Sequence, residues 1–132
     1  MAHMLRFDSL HEYELSDSGI TIPVELSFAD EGCTVISKLD TGSTFCIFQR
    51  EYAEILGLTV ENGYRQRIET AAGGFYAYGH EVSVTALDIT HNMQAFFAEN
   101  YEFPRNVLGQ VWMQRMRLGI IHYDGHIYSS IY

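Results

Sequence analysis

"VISKLDTGSTFCIF", residues 35–48, decides the fold. An apolar, β-branched segment runs directly into Asp40-Thr41-Gly42-Ser43, and a second apolar segment follows at once. Ionised carboxylates are costly to bury unless they are paired or hydrogen-bonded. A surface turn would not need apolar flanks on both sides. Here Gly42 lets backbone approach and offers an N–H, and the Thr41 and Ser43 hydroxyls donate or accept, so one acid is ringed by donors. The stretch therefore predicts two strands joined by a sheltered acidic turn.

Strand signals extend outward from it. "ITIPVELSF" (20–28) alternates and is β-branched, "ADEG" (29–32) is a turn, and "CTVISKL" (33–39) is a second strand with Val35, Ser37 and Leu39 on one face. "TFCIF" (44–48) reads as a third short strand. "QREYAEIL" (49–56) predicts a helix, with Tyr52, Ile55 and Leu56 at helical spacing and a stop at Gly57. Residues 65–87 predict a long hairpin turned by Gly73-Gly74, with Phe75 and Ala77 on one face and Tyr76 and Tyr78 on the other. "MQAFFAE" (93–99) is a further strand. "VWMQRMRL" (111–118) predicts a second helix, with Trp112 and Met116 in the core, Arg115 and Arg117 solvated, and Gly119 as its stop. Residues 119–132 predict a hairpin turned by Asp124-Gly125. Residues 5–19 have no clear assignment, although "LHEYEL" suits a strand. The expected fold class is all-β, a closed or sandwiched barrel with two short helices.

Composition narrows the function. A chain of 132 residues, 47% apolar and 14% aromatic, suits a single globular domain, taken as residues 4–132 with Met1-Ala2-His3 as a vector-derived remnant. No apolar run approaches the roughly 18 residues of a membrane span, and no leader pattern opens the chain. The formal net charge of −9, with Lys38 the only lysine, argues against nucleic acid as a partner. Cys33 and Cys46 form neither a disulfide framework nor a zinc pattern, and the expected setting is cytoplasmic. His122, Asp124 and His126 alternate, but a tight Asp-Gly turn would aim them apart, so no metal is expected. Cys46 lies in an apolar run, where a thiol is usually inert.

Three short places, taken together, carry a resemblance: "KLDTGST" (38–44), "AAGGFYA" (71–77) and "NVLGQ" (106–110). The order apolar–DTGS–apolar, glycine hairpin, then an apolar pair, glycine and helix resembles the retropepsin family of aspartic proteases over roughly residues 20 to 120. The resemblance implies a closed acid-protease barrel with a flap hairpin. It implies that Asp40 is the catalytic aspartate, that the Thr41 hydroxyl bridges to a partner subunit, and that the Gly42 amide steadies the carboxylate. Ser43 would hold the outer oxygen of Asp40. Ala72, Gly73, Gly74 and Phe75 would form the substrate-covering flap tip. Val107, Leu108 and Gly109 would pack beneath the catalytic turn. Two departures stand out. Gln110 occupies the place of a common arginine, and no acid follows the motif until Glu51, so the usual ion pair is expected to be missing. The C-terminal hairpin is also longer than the family's single strand, so a dimer sheet would be built differently.

One motif per chain has a consequence. Peptide hydrolysis of this kind needs two carboxyls sharing a proton. Neither Asp88 nor Asp124 repeats the motif, so the second carboxyl must come from a second copy on a two-fold axis. The expectation is a cofactor-free homodimeric endopeptidase acting on peptide or protein substrates through apolar subsites, favoured by mildly acidic pH. The alternatives are a non-catalytic dimeric module of the same fold that binds peptides or assembles a larger protein, and a precursor that needs trimming.

Overall fold

In the computed structural model, residues 1–131 are described; Tyr132, the last residue of the expected C-terminal hairpin, lies outside them. The strands are β1 (Ser9–Glu12), β2 (Thr21–Phe28), β3 (Glu31–Leu39), β4 (Ile47–Phe48), β5 (Tyr64–Thr70), β6 (Gly73–Ala86), β7 (Ile89–Ala98), β8 (Val107–Leu108), β9 (Arg117–Ile121) and β10 (His126–Ser130). The helices are α1 (Arg50–Ile55) and α2 (Gln110–Met113).

Period-two alternation explains the main strands. Ile22, Val24 and Leu26 of β2 point inward, as do Val35, Ser37 and Leu39 of β3, while Pro23, Glu25 and Ile36 face out. Seven strands pair in the order β2-β3-β8-β4-β7-β6-β5, and a further pairing of β2 with β6 closes a ring. Fourteen-residue β6 makes this closure possible. Its first half pairs with β5, its second half with β2, and β7 runs along it from Ala77 to Ala86. Pro23 is tolerated because β6 meets β2 only at Glu25–Ser27, so Pro23 has one paired neighbour and need not donate on its other side. Inside the ring lies the main core, which includes Trp112, Phe48, Phe97, Leu26 and Leu108. A smaller cluster of Ile47, Ile68, Ala77, Phe96 and Val107 sits apart from it, flanked by Phe45, Phe75 and Phe103.

A second sheet, β1-β10-β9, gathers both ends of the chain. β1 lies within the unassigned residues 5–19 and is held by four register pairs to β10. Ile127 of β10 is fully buried in the main core and anchors this sheet to the ring. Among the described residues, no helix is long and apolar enough to cross a membrane.

Several local expectations are corrected. The second helix runs only over residues 110–113, not 111–118. Arg117, Leu118 and Gly119 pair with Ser130, Ser129 and Tyr128, and that ladder outcompetes a helix too short to sustain itself. Trp112 and Met116 are buried nonetheless, and Arg115 and Arg117 are exposed, although Arg117 stands on β9 rather than on a helix. Gly119 is mid-strand, with the Phe7 ring packed where a side chain would be. In α1 the buried positions are Ala53 and, at its end, Leu56, while Ile55 is half exposed. The hairpin tip is Ala71-Ala72, with Thr70 opposite Gly73, so Gly73-Gly74 is not the turn itself. Only Gly73 there has a positive φ, of 117°, the pattern of a turn followed by glycine. Residues 87 and 88 turn β6 into β7 with φ of 53° and 62°, without the glycine or asparagine that normally marks such a turn. The last hairpin turns through a short 3-10 segment, His122–Asp124, and closes on Gly125 with φ of 67°.

Candidate active site

β3 delivers Asp40, and β8 holds it there. Lys38 and Leu39 pair in parallel with Val107 and Leu108. The Asp40 amide continues the ladder by donating to the Leu108 carbonyl (3.0 Å). The chain then reverses: the Ser43 amide donates to the Asp40 carbonyl (3.2 Å), and the Gly42 amide donates to Asp40 Oδ1 (2.9 Å). A charged acceptor makes the latter the stronger kind of hydrogen bond. Asp40 is half-buried, while Thr41 and Gly42 are exposed on the surface of the single chain.

Gly109 supports the turn from below. A Cβ there would collide with the carbonyl oxygens of Phe45 and Ser43, so only glycine lets the two segments touch. That proximity permits the Gln110 amide to donate to the Ser43 carbonyl (2.8 Å) and the Val111 amide to that of Thr44 (3.1 Å). Gln110 has a further role. Its Nε2 donates to the Thr41 carbonyl (2.7 Å), so a neutral clasp ties α2 to the acidic turn where an ion pair was expected to be missing. Ser43 corrects an expectation. Its hydroxyl donates to the Phe45 carbonyl two residues on (2.8 Å), rather than to Asp40. Short-range bonds of serine to nearby backbone are favoured at such turns.

A cleft of about 590 Å³ opens beside Asp40. Its floor is the smaller apolar cluster: Ile47, Ile68 and Val107, with Phe45, Phe75 and Phe103. β5 supplies one wall from Arg67 to Thr70, and the loop before β8 supplies the other. The Phe75 and Phe103 rings meet across it at 4.8 Å. Ala77 is buried beneath Phe75, whereas Tyr76 lies under the Arg65 guanidinium (3.6 Å) and the Tyr78 hydroxyl donates to Glu99 (2.9 Å). Of the four residues expected at the hairpin tip, Phe75 lines the cleft; Ala72, Gly73 and Gly74 lie exposed at the tip. Val107 lines it too, while Leu108 and Gly109 are buried behind it. Sequence reasoning missed Phe103, Arg105 and Ile68. Only alternation in "RQRIET" hinted at the last.

The set-aside groups are otherwise engaged. His122 Nδ1 is bonded to the Tyr13 hydroxyl (2.7 Å), and His126 neighbours Tyr128 and Glu12. Among the described residues, no cluster of three or more His, Cys, Asp or Glu is arranged for a metal. Both cysteines are free thiols, and burial pushes Cys46 up to about 11, far from a reactive thiolate.

A closed β-ring with parallel β3/β8 pairing, an Asp-Thr-Gly turn at its mouth and a hairpin beside that turn defines the retropepsin-like fold. The sequence agrees: residues 22–112 match the aspartyl protease family, and the chain belongs to it. Among solved structures, the EIAV protease complexed with the inhibitor HBY-793 is similar, with a TM-score of 0.59 at 17% identity over 77% of this chain and 90% of that one. No match was found among curated proteins.

Proposed function

We propose that the protein is a homodimeric aspartic endopeptidase in which each chain contributes Asp40 to a shared dyad. The observation that carries this reading is the state of the acids in the cleft. Asp40 and Glu69 are the carboxylates lining it, and Glu69 is paired with Arg67 at 2.9 Å. Asp40 is left with one backbone donor and an exposed turn around it. A second copy meeting that turn across a two-fold axis would bring Asp40 against Asp40 and Thr41 against Thr41.

Two carboxyls brought to about 3 Å cannot both ionise, a situation for which aspartic proteases are the standard illustration. The pair holds one proton between them. The ionised member takes a proton from water, and the protonated member hydrogen-bonds the scissile carbonyl. The water oxygen bonds to the carbonyl carbon as the C=O π bond opens, and the carbonyl oxygen takes the second carboxyl's proton, giving a tetrahedral gem-diol. Its C–N bond then breaks as a carboxyl passes a proton to the leaving amine. The β5–β6 hairpin serves as the flap, with Ala72, Gly73, Gly74 and Phe75 over an extended peptide and the Phe75–Phe103 contact closing it. The apolar floor takes hydrophobic residues on both sides of the bond. No cofactor is required, and the two free thiols suit a cytoplasmic setting.

The test is peptide cleavage near pH 5 by the wild type and by Asp40→Asn, with sedimentation on the same samples. The expected result is loss of cleavage in the variant, with its dimer retained and, since net charge falls toward the pI of 4.9, tighter association at pH 5 than at pH 8. Cleavage that survives the substitution, or a wild type that cleaves as a strict monomer, refutes it. Binding without cleavage at any pH selects the non-catalytic module.

A further inference from the structure

We propose that Arg105 is a specificity determinant that selects substrates with an acidic side chain beside the apolar residues at the scissile bond. This rests on the peptidase reading of the same cleft.

The chain carries 8 basic residues against 17 acidic ones, yet two of the 8, Arg67 and Arg105, line this one cleft. Arg67 is already committed. It pairs with Glu69 and lies near the Tyr76 ring, 5.2 Å from its centroid. Arg105 is in no ion pair among the described residues, and Asp40 is beyond salt-bridge distance from it. It is thus the one cation lining the cleft without an acid partner there.

Its position is fixed from both sides. The Phe103 carbonyl accepts from Gln49 Nε2 (3.1 Å). The Asn106 side chain exchanges two bonds with Gln49, accepting from its amide and donating to Oε1, both at 2.9 Å. The Asn106 carbonyl accepts from the Lys38 amide, two residues before Asp40 (2.8 Å). Pro104 stiffens the stretch between. A side chain left to wander would be a solubilising charge. A side chain that springs from backbone pinned on both sides, next to a ring that touches the hairpin, is rooted where it can meet a ligand.

Arginine matches a carboxylate with a planar fork, and because Arg105 is exposed that pairing is open to screening by salt. The cleft therefore favours an acidic residue despite the acidity of the chain as a whole.

Three octapeptides test this, identical but for Glu, Gln or Lys next to an apolar scissile pair, assayed at about pH 6 so that Glu is ionised. Wild type is expected to cleave in the order Glu, Gln, Lys, with kcat/KM about threefold higher for Glu than for Gln, mostly through KM, as an exposed ion pair supplies. That ratio should shrink between about 50 mM and 500 mM salt. Arg105→Gln should bring it close to one, and Arg105→Glu should reverse the order in favour of Lys. Arg105 is exposed, so both variants should keep the wild-type melting temperature. Equal cleavage of Glu and Gln peptides by wild type, or an order unmoved by Arg105→Glu, overturns the proposal. If wild type cleaves none of the three, the peptidase reading fails instead. Fluorescence anisotropy of the same labelled peptides then decides on Arg105 by the same ordering in Kd.

Discussion

Replacing Gly109 by alanine probes the contact that sets the acidic turn on its support. An added Cβ would lie 2.6 Å from the Ser43 carbonyl oxygen, 2.8 Å from the Phe45 carbonyl carbon and closer still to the Phe45 oxygen. All three are backbone atoms, so no rotamer change relieves the clash. The φ at this position is −102°, which alanine adopts freely, so the cost is steric alone. Relief means pushing residues 43–45 away from α2, which weakens the Gln110–Ser43 and Val111–Thr44 bonds. Overpacking costs about 1–3 kcal/mol and each weakened bond about 1 kcal/mol, against roughly 0.5–1 kcal/mol regained from a stiffer unfolded chain. The net loss is about 3 kcal/mol, a large share of the roughly 5–15 kcal/mol that holds a domain together. Gly57→Ala is the matched comparison. Nothing lies within 4 Å of its Cβ position, but φ is +79°, so the cost is about 1 kcal/mol of backbone strain. Urea denaturation at unchanged m-value measures both. A Gly109→Ala protein within about 0.5 kcal/mol of wild type, or one more stable than Gly57→Ala, would refute the close-packing account.

Two further outcomes follow from the core and the cleft. The Cys46 thiol is raised from 9.0 to about 11, chiefly by burial, with Gly109 and Trp112 backbone contacts acting the other way. Because the unfolded chain releases this proton first, the thiol's contribution should be whole below about pH 9 and fall by about 2 kcal/mol toward pH 11; Cys33 and Tyr78 are raised as well, so Cys46→Ala should make the alkaline fall in denaturant titrations shallower without abolishing it. Phe103→Ala deletes the ring that meets Phe75 at 4.8 Å, and is expected to cost about 1–2 kcal/mol and to raise KM for peptides several-fold. An unchanged KM would detach that contact from substrate binding.

Much of the strand layout was legible because alternation is a local code. Val35, Ser37 and Leu39 share a face whatever they pack against, and "ITIPVELSF" could hardly be anything but a strand. The acidic turn was legible for a related reason. An aspartate followed by small hydrogen-bonding residues, between apolar flanks, is a costly arrangement that implies a use. Turns without their usual residues were not legible. Asp88 tolerates a positive φ, but Leu87 adopts one only because β6 and β7 pair on either side of it. The C-terminal helix was overextended for the opposite reason. Residues 114–118 look helical in isolation, and β10 claims most of the last of them only once the chain has folded.

From sequence alone came the fold class, the choice of Asp40 as the acid to watch and the expectation of a second copy, since these depend on residue chemistry and on a count of one motif. Only the folded chain decided which side chains face that acid. Arg105 and Phe103 reach the cleft because β8 lies against β3 and because Asn106 grips Gln49, 57 positions away in the chain. Register and ring closure are set by the sum of distant contacts, and no single stretch of residues carries that sum.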